Sequence, residues 1–196
     1  MLSEGFYDVP KGHLATVVTH LEMTAPRYTA PAAWPAGVTI TRETPDTVGY
    51  RALFRAIGAP WLWTSRLRLG EDTLAAILTH PDVAVWIVRR DDAAIGLVEL
   101  DFRETAACEL AFFGLVPEAT GGGLGVAMMA HAQTHAFTAD IARFHVHTCT
   151  LDAPHALAFY QKHGFRAIRS EVEIMPDPRA TGLLPTDTAP NIPLFL

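Results

Sequence analysis

Residues 108 to 137 read strand, proline, glycine cluster, helix, and this order restricts the fold more than any other stretch. Cys108 to Val116 is strand-like, Pro117 ends it, and Gly121-Gly122-Gly123-Leu124-Gly125 opens a helix that runs to about Phe137. Consecutive glycines let backbone N–H groups converge without Cβ atoms between them. At a helix N-terminus those groups are unpaired and partly positive, which suits an anion such as a pyrophosphate. A glycine-rich turn that only connects strand and helix has the same composition. No lysine follows the glycines, so the loop is not a P-loop. Gly121-x-Gly123 is followed at the third position by Val126, and Gly123-x-Gly125 by Met128, so the dinucleotide fingerprint fails twice.

The segments around the loop define the fold class. Val83 to Val88, Ala94 to Phe102 and Cys108 to Val116 are strand runs joined by short turns, at Asp91-Asp92 and at Arg103 to Ala106. Short turns imply an antiparallel meander, which argues against a dinucleotide fold. Before them, Leu14 to Met23 and Val38 to Glu43 alternate as strands, separated by the proline-rich stretch Thr24 to Gly37. Helical spacing covers Pro45 to Ile57 and Glu71 to Leu78. After the loop helix, Phe144 to Leu151 reads as a strand. Asp152 reads as the cap of a helix from Pro154 to about His163, and Gly164 closes it. Arg166 to Ile174 alternates as a last strand, and the tail from Met175 to Leu196, with its five prolines, reads as extended.

The expected organisation is an N-terminal extension (1–37), a catalytic-size domain (38–174) and a tail (175–196). The 196 residues are 49% hydrophobic, too apolar for disorder, yet no run reaches the roughly 18 apolar residues of a membrane span. Met1 to Pro10 carries Glu4 and Asp8 and does not read as a secretory leader. The net charge of −6 and the scattered basic residues argue against nucleic acid as a partner. Cys108 and Cys149 read as two reduced, buried thiols, and the composition points to a cytoplasmic protein.

Two motifs resemble those of the Gcn5-related N-acetyltransferases, the GNAT superfamily. The first is Leu115-Val116-Pro117-Glu118-Ala119-Thr120-Gly121-Gly122-Gly123-Leu124-Gly125, where the family has Val-x-Pro-Glu and then Gln/Arg-x-x-Gly-x-Gly/Ala. The second is Ala156-Leu157-Ala158-Phe159-Tyr160 followed by Gly164-Phe165, where the family has Ala-x-x-x-Tyr and Gly-Phe. The resemblance covers roughly Val38 to Glu173. It implies an α/β (α+β) fold, a mixed and mostly antiparallel central sheet flanked by helices, here with an extra N-terminal strand. It also implies acetyl-CoA as co-substrate, without a metal, and an amine of a small molecule or peptide as acceptor. The alternative is a non-catalytic acyl-CoA-binding sensor or subunit of a complex. Thr120 stands where the family has Gln or Arg, and Ala153 where it often has Asn. Relatives are often dimers, so the resemblance allows a homodimer.

By the same resemblance, Thr120, Gly121, Gly122, Gly123, Leu124, Gly125 and Val126 bind the pyrophosphate. Leu115 and Val116 align the pantetheine and supply an oxyanion N–H beside a bulge, with which Gly114 is compatible. Tyr160 is the acid for the leaving thiolate, or else a packing residue. Glu109 is the base, its pKa raised by apolar neighbours. Glu99 and Asp101, which share a strand face, are alternative bases, and a water chain is another. Trp61 and Trp63 form an acceptor wall or pack the core. His131 with His135, and His145 with His147 and Cys149 on one strand face, read as packing rather than metal ligands. The strand Leu14 to Met23 either extends the sheet edge or mediates a dimer.

Overall fold

The computed structural model describes residues 3–30 and 32–196. The expectations for Met1, Leu2 and Pro31 lie outside them. Among the described residues one mixed sheet holds seven strands, in the order β2-β3-β4-β5-β6-β1-β7. They are β1 (His13–Met23), β2 (Val38–Glu43), β3 (Val83–Arg90), β4 (Ala93–Asp101), β5 (Ala107–Leu115), β6 (Arg143–Cys149) and β7 (Arg166–Pro176). Four helices flank it: α1 (Thr47–Gly58), α2 (Glu71–Leu78), α3 (Leu124–Ala136) and α4 (Ala156–Lys162).

The meander forms as the short turns require: β2 to β5 are antiparallel neighbours. Asp91 and Asp92, both at positive φ, make the β3–β4 turn. β3 is buried on both faces, which explains its continuous apolar run. Val85 and Ile87 face one core with Leu53, Phe54 and Ile57 of α1 and Leu74 and Leu78 of α2. Trp86 and Val88 face the other, with Met128, Met129 and Ala132 of α3.

Two features depart from the sequence reading. β1 is interior, antiparallel to β6 on one side and β7 on the other, so the N-terminal strand does not extend an edge. Strand pairing between distant segments leaves no local sequence mark. The tail is not extended either. Arg179, 4% exposed, bonds Asp177 through Nε (3.0 Å) and Nη2 (2.7 Å). It also donates to the carbonyls of Thr188, Ala189, Ile192 and Pro193, and so folds the tail around one guanidinium. Leu184 and Ala189 then enter the α1-side core. Gly12 ties both ends: its N–H donates to Phe195 and its C=O accepts from Asp177 N–H.

Among the described residues one neighbouring pair is parallel, and it is short. β5 and β6 pair from Ala107 to Glu109 against Arg143 to His145. A register shift opposite Glu99 and Leu100 leaves Ala111 as an extra residue on β5. A bulge bends its strand away from the regular ladder. The two strands have no further pairing, and the opening lies in the middle of the sheet. The bulge sits three residues before Gly114, the position the sequence had suggested.

Gly114 has a different task. A Cβ there would lie 2.5 Å from Ile57 Cγ2 and 3.3 Å from Trp63 Cη2. Only glycine lets β5 pass this close to α1.

Candidate active site

The opening between β5 and β6 is the mouth of a cavity of about 520 Å³, a size typical of small-molecule sites. Its floor is β5 from Leu110 to Leu115, its far wall is β6 and α4, and β1 contributes Val18. At one end stand Thr120, Gly121, Gly123, Gly125 and Val126. At the other end stand Trp61, Trp63, Arg68, Glu173 and Met175.

The glycine end has the geometry of an anion site. Thr120 N–H donates to Pro117 C=O, and Val126 N–H donates to Gly123 C=O. Between them, the N–H groups of Gly121 to Gly125 have no main-chain acceptor among the described residues. Gly121 and Gly123 take φ of 83° and 79°, and no heavy atom would meet a Cβ on Gly121, Gly122 or Gly123 within 4 Å. The unpaired donors therefore face open space at the N-terminus of a 13-residue helix. Thr120 lines the cavity, but its hydroxyl donates to Pro117 C=O at 2.7 Å. Leu124 is 1% exposed and buries its side chain in the α3-side core. Neither it nor Gly122 lines the cavity.

On β5, Val116 N–H donates to Ile95 C=O at 2.9 Å and is not free to act as an oxyanion donor. Val116 does not line the cavity either. Successive N–H groups of a strand point to opposite sides. That of Leu115 therefore points away from β4, into the opening.

Tyr160 lies on α4 among Phe113, Phe159 and Phe165 and lines the cavity. Its hydroxyl has no protein partner among the described residues. Burial pushes its pKa up, and the charge of Asp152 adds to the rise. Asp152 is not a helix cap. It accepts from Trp63 Nε1 (2.9 Å), Thr148 Oγ1 (2.6 Å) and Cys149 N–H (2.9 Å), and α4 begins only at Ala156. The carboxylate thus ties the aromatic end of the cavity to the end of β6. Trp63 also packs on Phe54 and Phe112, so it is wall and core at once. Leu62, buried between the two tryptophans, takes a left-handed φ of 56°, unusual for a branched side chain.

The acidic candidates separate. Glu99 is fully buried; Tyr50 donates to it and Arg66 Nη2 lies at 2.5 Å. Asp101 is chelated by Arg103, with bonds at 3.0 and 2.5 Å. Burial pulls its carboxyl up, but those bonds outweigh it and hold it below the ordinary range. Neither lines the cavity, so neither can reach a substrate there. Glu109 does not line it either. Its Oε1 lies 3.4 Å from Nδ1 of His147, which does. The pKa of Glu109 is lowered, chiefly by His147, against the rise expected from apolar neighbours. Sequence alternation had put His145, His147 and Cys149 on one face, but nothing in it showed that this face borders the cavity. Cys149 also lines the cavity and is only partly buried; Cys108 is buried, and both are free thiols. His131 and His135 stack on each other and against Trp86, away from the cavity.

A mixed sheet opened by a bulge, with a glycine-led helix at one end of the opening, defines the class: the fold is that of the GNAT proteins. The chain belongs to the acetyltransferase (GNAT) family, whose model matches residues 50–165. Solved structures agree in fold. A Gcn5-related N-acetyltransferase from Kribbella flavida superposes with a TM-score of 0.56 at 18% identity, over 85% of this chain and 60% of its own. One from Sphaerobacter thermophilus gives 0.58 at 14%, over 84% and 53%. A tandem GNAT protein from the clavulanic acid biosynthesis pathway gives 0.58 at 14%, over 86% and 54%. The chain thus spans 53–60% of the length of these three. No curated protein matches by sequence.

Proposed function

We propose that the chain moves an acetyl group from acetyl-CoA to an amine of a small molecule or peptide by direct attack. The observation that carries this reading is the cavity itself. It joins unpaired N–H donors at one end, a phenol without a partner in its wall, and at the other the aromatic faces of Trp61 and Trp63 beside the carboxylate Glu173 and Arg68, whose guanidinium donates to Pro176 C=O. The two rings and the carboxylate suit a cationic amine.

The residues present fit the co-substrate. The open space at Gly121 to Gly123 admits a pyrophosphate against bare backbone. With the Thr120 hydroxyl engaged, main-chain donors carry that contact. Acetyl-CoA supplies an activated acyl thioester. Leu115 N–H, on the open strand edge, is the donor for charge developing on the thioester oxygen. Val116 serves only to hold β5 to β4. Tyr160 gives its proton to the departing sulfur. The burial that raises its pKa keeps it protonated through neutral pH. No helix among the described residues is long and apolar enough to cross a membrane. Two free thiols suit the reducing cytoplasm, where we place the reaction.

The test is incubation with acetyl-CoA and a panel of primary amines, following thiol release and the mass of the acetylated product. An enzyme releases one thiol per acetylated amine. A binder of acyl-CoA saturates with the thioester and releases none, and that result would overturn the proposal.

A further inference from the structure

We infer that His147 is the residue that takes the proton from the attacking amine, and that Glu109 acts through it as a positioning residue. This rests on the acetyl-transfer reading. Amine attack needs a neutral nitrogen, whereas a free alkylammonium has a pKa of about 10. Some group in contact with the acceptor must remove the proton. Glu99, Asp101 and Glu109 do not line the cavity; Asp152 lines it with its oxygens taken by Trp63, Thr148 and Cys149, and Glu173 lines it from the exposed strand β7, beyond the opened edge. His147 does, from β6, on the edge that the bulge has opened.

The two residues are arranged as a base and its orienter. Glu109 and His145 are register partners in the short parallel segment, and His147 follows on the same face. Glu109 Oε1 sits 3.4 Å from His147 Nδ1. The negative charge of Glu109 beside Nδ1 favours the proton on that nitrogen, by proximity rather than by a formed hydrogen bond, and leaves Nε2 as the acceptor. Nε2 has no partner among the described residues. The imidazole is half exposed, with 54% of its side chain accessible. The exposed ring is open to an amine held in the cavity.

The charges around His147 favour its protonated form. Glu109 on β5 is the strongest influence, with Asp152 beyond β6 and Glu173 on β7 adding to it, against a smaller opposing effect of burial. On β1, the His20 ring lies 5.8 Å away and is itself held by Glu171 and Arg169 of β7. His145, two residues along, pairs with Glu104. The pKa of His147 is therefore above the usual 6.5. An imidazole whose pKa is raised takes a proton from an ammonium better than a carboxylate whose pKa is lowered does.

The step balances as follows. The ammonium gives one proton to Nε2 of His147, which passes it to solvent. The nitrogen lone pair forms the C–N bond while the C–S bond breaks, and its electron pair leaves on sulfur. Sulfur takes the Tyr160 proton, and the phenolate recovers the second proton of the acylated nitrogen. The products are the amide, the free thiol and one proton.

The experiment compares wild type, His147→Gln and Glu109→Gln. It measures acetyl-CoA affinity by calorimetry, the His147 titration by NMR in the free protein, and the pH profile of kcat with the best amine of the panel. Expected results are unchanged acetyl-CoA affinity in both variants and a wild-type His147 titration above 6.5. Glu109→Gln should move that titration, and the acidic limb of kcat, to lower pH. His147→Gln should lower kcat about 10²-fold and abolish the limb. Turnover in His147→Gln with the limb intact would overturn the role of His147 and leave acetyl transfer standing. Absence of acetyl-CoA binding in all three would overturn the acetyl-transfer reading, and this role with it.

Discussion

Replacing Gly114 with alanine tests how the opening in the sheet is held. The added Cβ would lie 2.5 Å from Ile57 Cγ2, where carbon atoms pack at about 3.5–4.0 Å. About 1 Å of movement is therefore needed. Ile57 is 1% exposed, on the last turn of α1 against Trp63 and Phe54, and has no room to retreat. β5 is the softer partner, because past Glu109 it has no neighbour on the β6 side. The strand should shift into the cavity and carry Leu115 N–H with it. Overpacking of this kind costs about 1–3 kcal/mol. For a chain of this size that is a fall in Tm of about 2–12 °C. Thermal unfolding and acetyl-CoA calorimetry on the same variant should show both losses. Ile57→Ala removes the methyl in the way. The double variant should then be more stable than the sum of the single effects by about 0.5–3 kcal/mol. Strict additivity, or an alanine variant with native Tm and native affinity, would refute the claim that this contact holds the edge in place.

Further outcomes follow from the other contacts. Tyr160→Phe should lower kcat about 10²-fold or more while leaving acetyl-CoA affinity unchanged, because the hydroxyl makes no hydrogen bond to the protein among the described residues. Arg179→Ala should cost about 3–5 kcal/mol, since it strands a buried carboxylate; a native denaturation midpoint would contradict this. For Asp177, burial raises the pKa, but the bonds from Arg179 outweigh it and hold it low. A lowered folded pKa contributes stability above the unfolded value of about 3.9, which is lost as pH falls below it. Without Arg179, burial alone acts on Asp177, so the stability gap between wild type and Arg179→Ala should narrow as pH falls below about 3.9; a gap unchanged by acid would contradict this.

The fold was legible wherever the signal was local. The strands of the meander, the glycine-led start of α3 and Gly164 at the end of α4 follow from alternation, turn residues and positive φ. What escaped was decided between segments far apart in sequence. β1 alternates like an edge strand but lies between β6 and β7. Asp152 precedes a proline as a helix cap would, yet its oxygens are taken by Trp63, Thr148 and Cys149. A polar tail with five prolines reads as extended, and one buried arginine folds it. Gly121, Gly123, Leu115 and Tyr160, which the motifs single out, all line the cavity. The state of Glu109 could not be read, because it is set by His147, a residue 38 positions away on another strand.

The central claim is that the bare backbone of the glycine loop holds the pyrophosphate of acetyl-CoA. Calorimetric titration of wild type and Gly123→Val tests it most directly. A valine at φ 79° is strained, and its side chain would stand in the open space before the unpaired N–H groups. The account expects micromolar binding by wild type and at least a 10²-fold loss in the variant, with the folded state retained by circular dichroism. Equal affinity of the two, or no binding by wild type at millimolar acetyl-CoA, would contradict it.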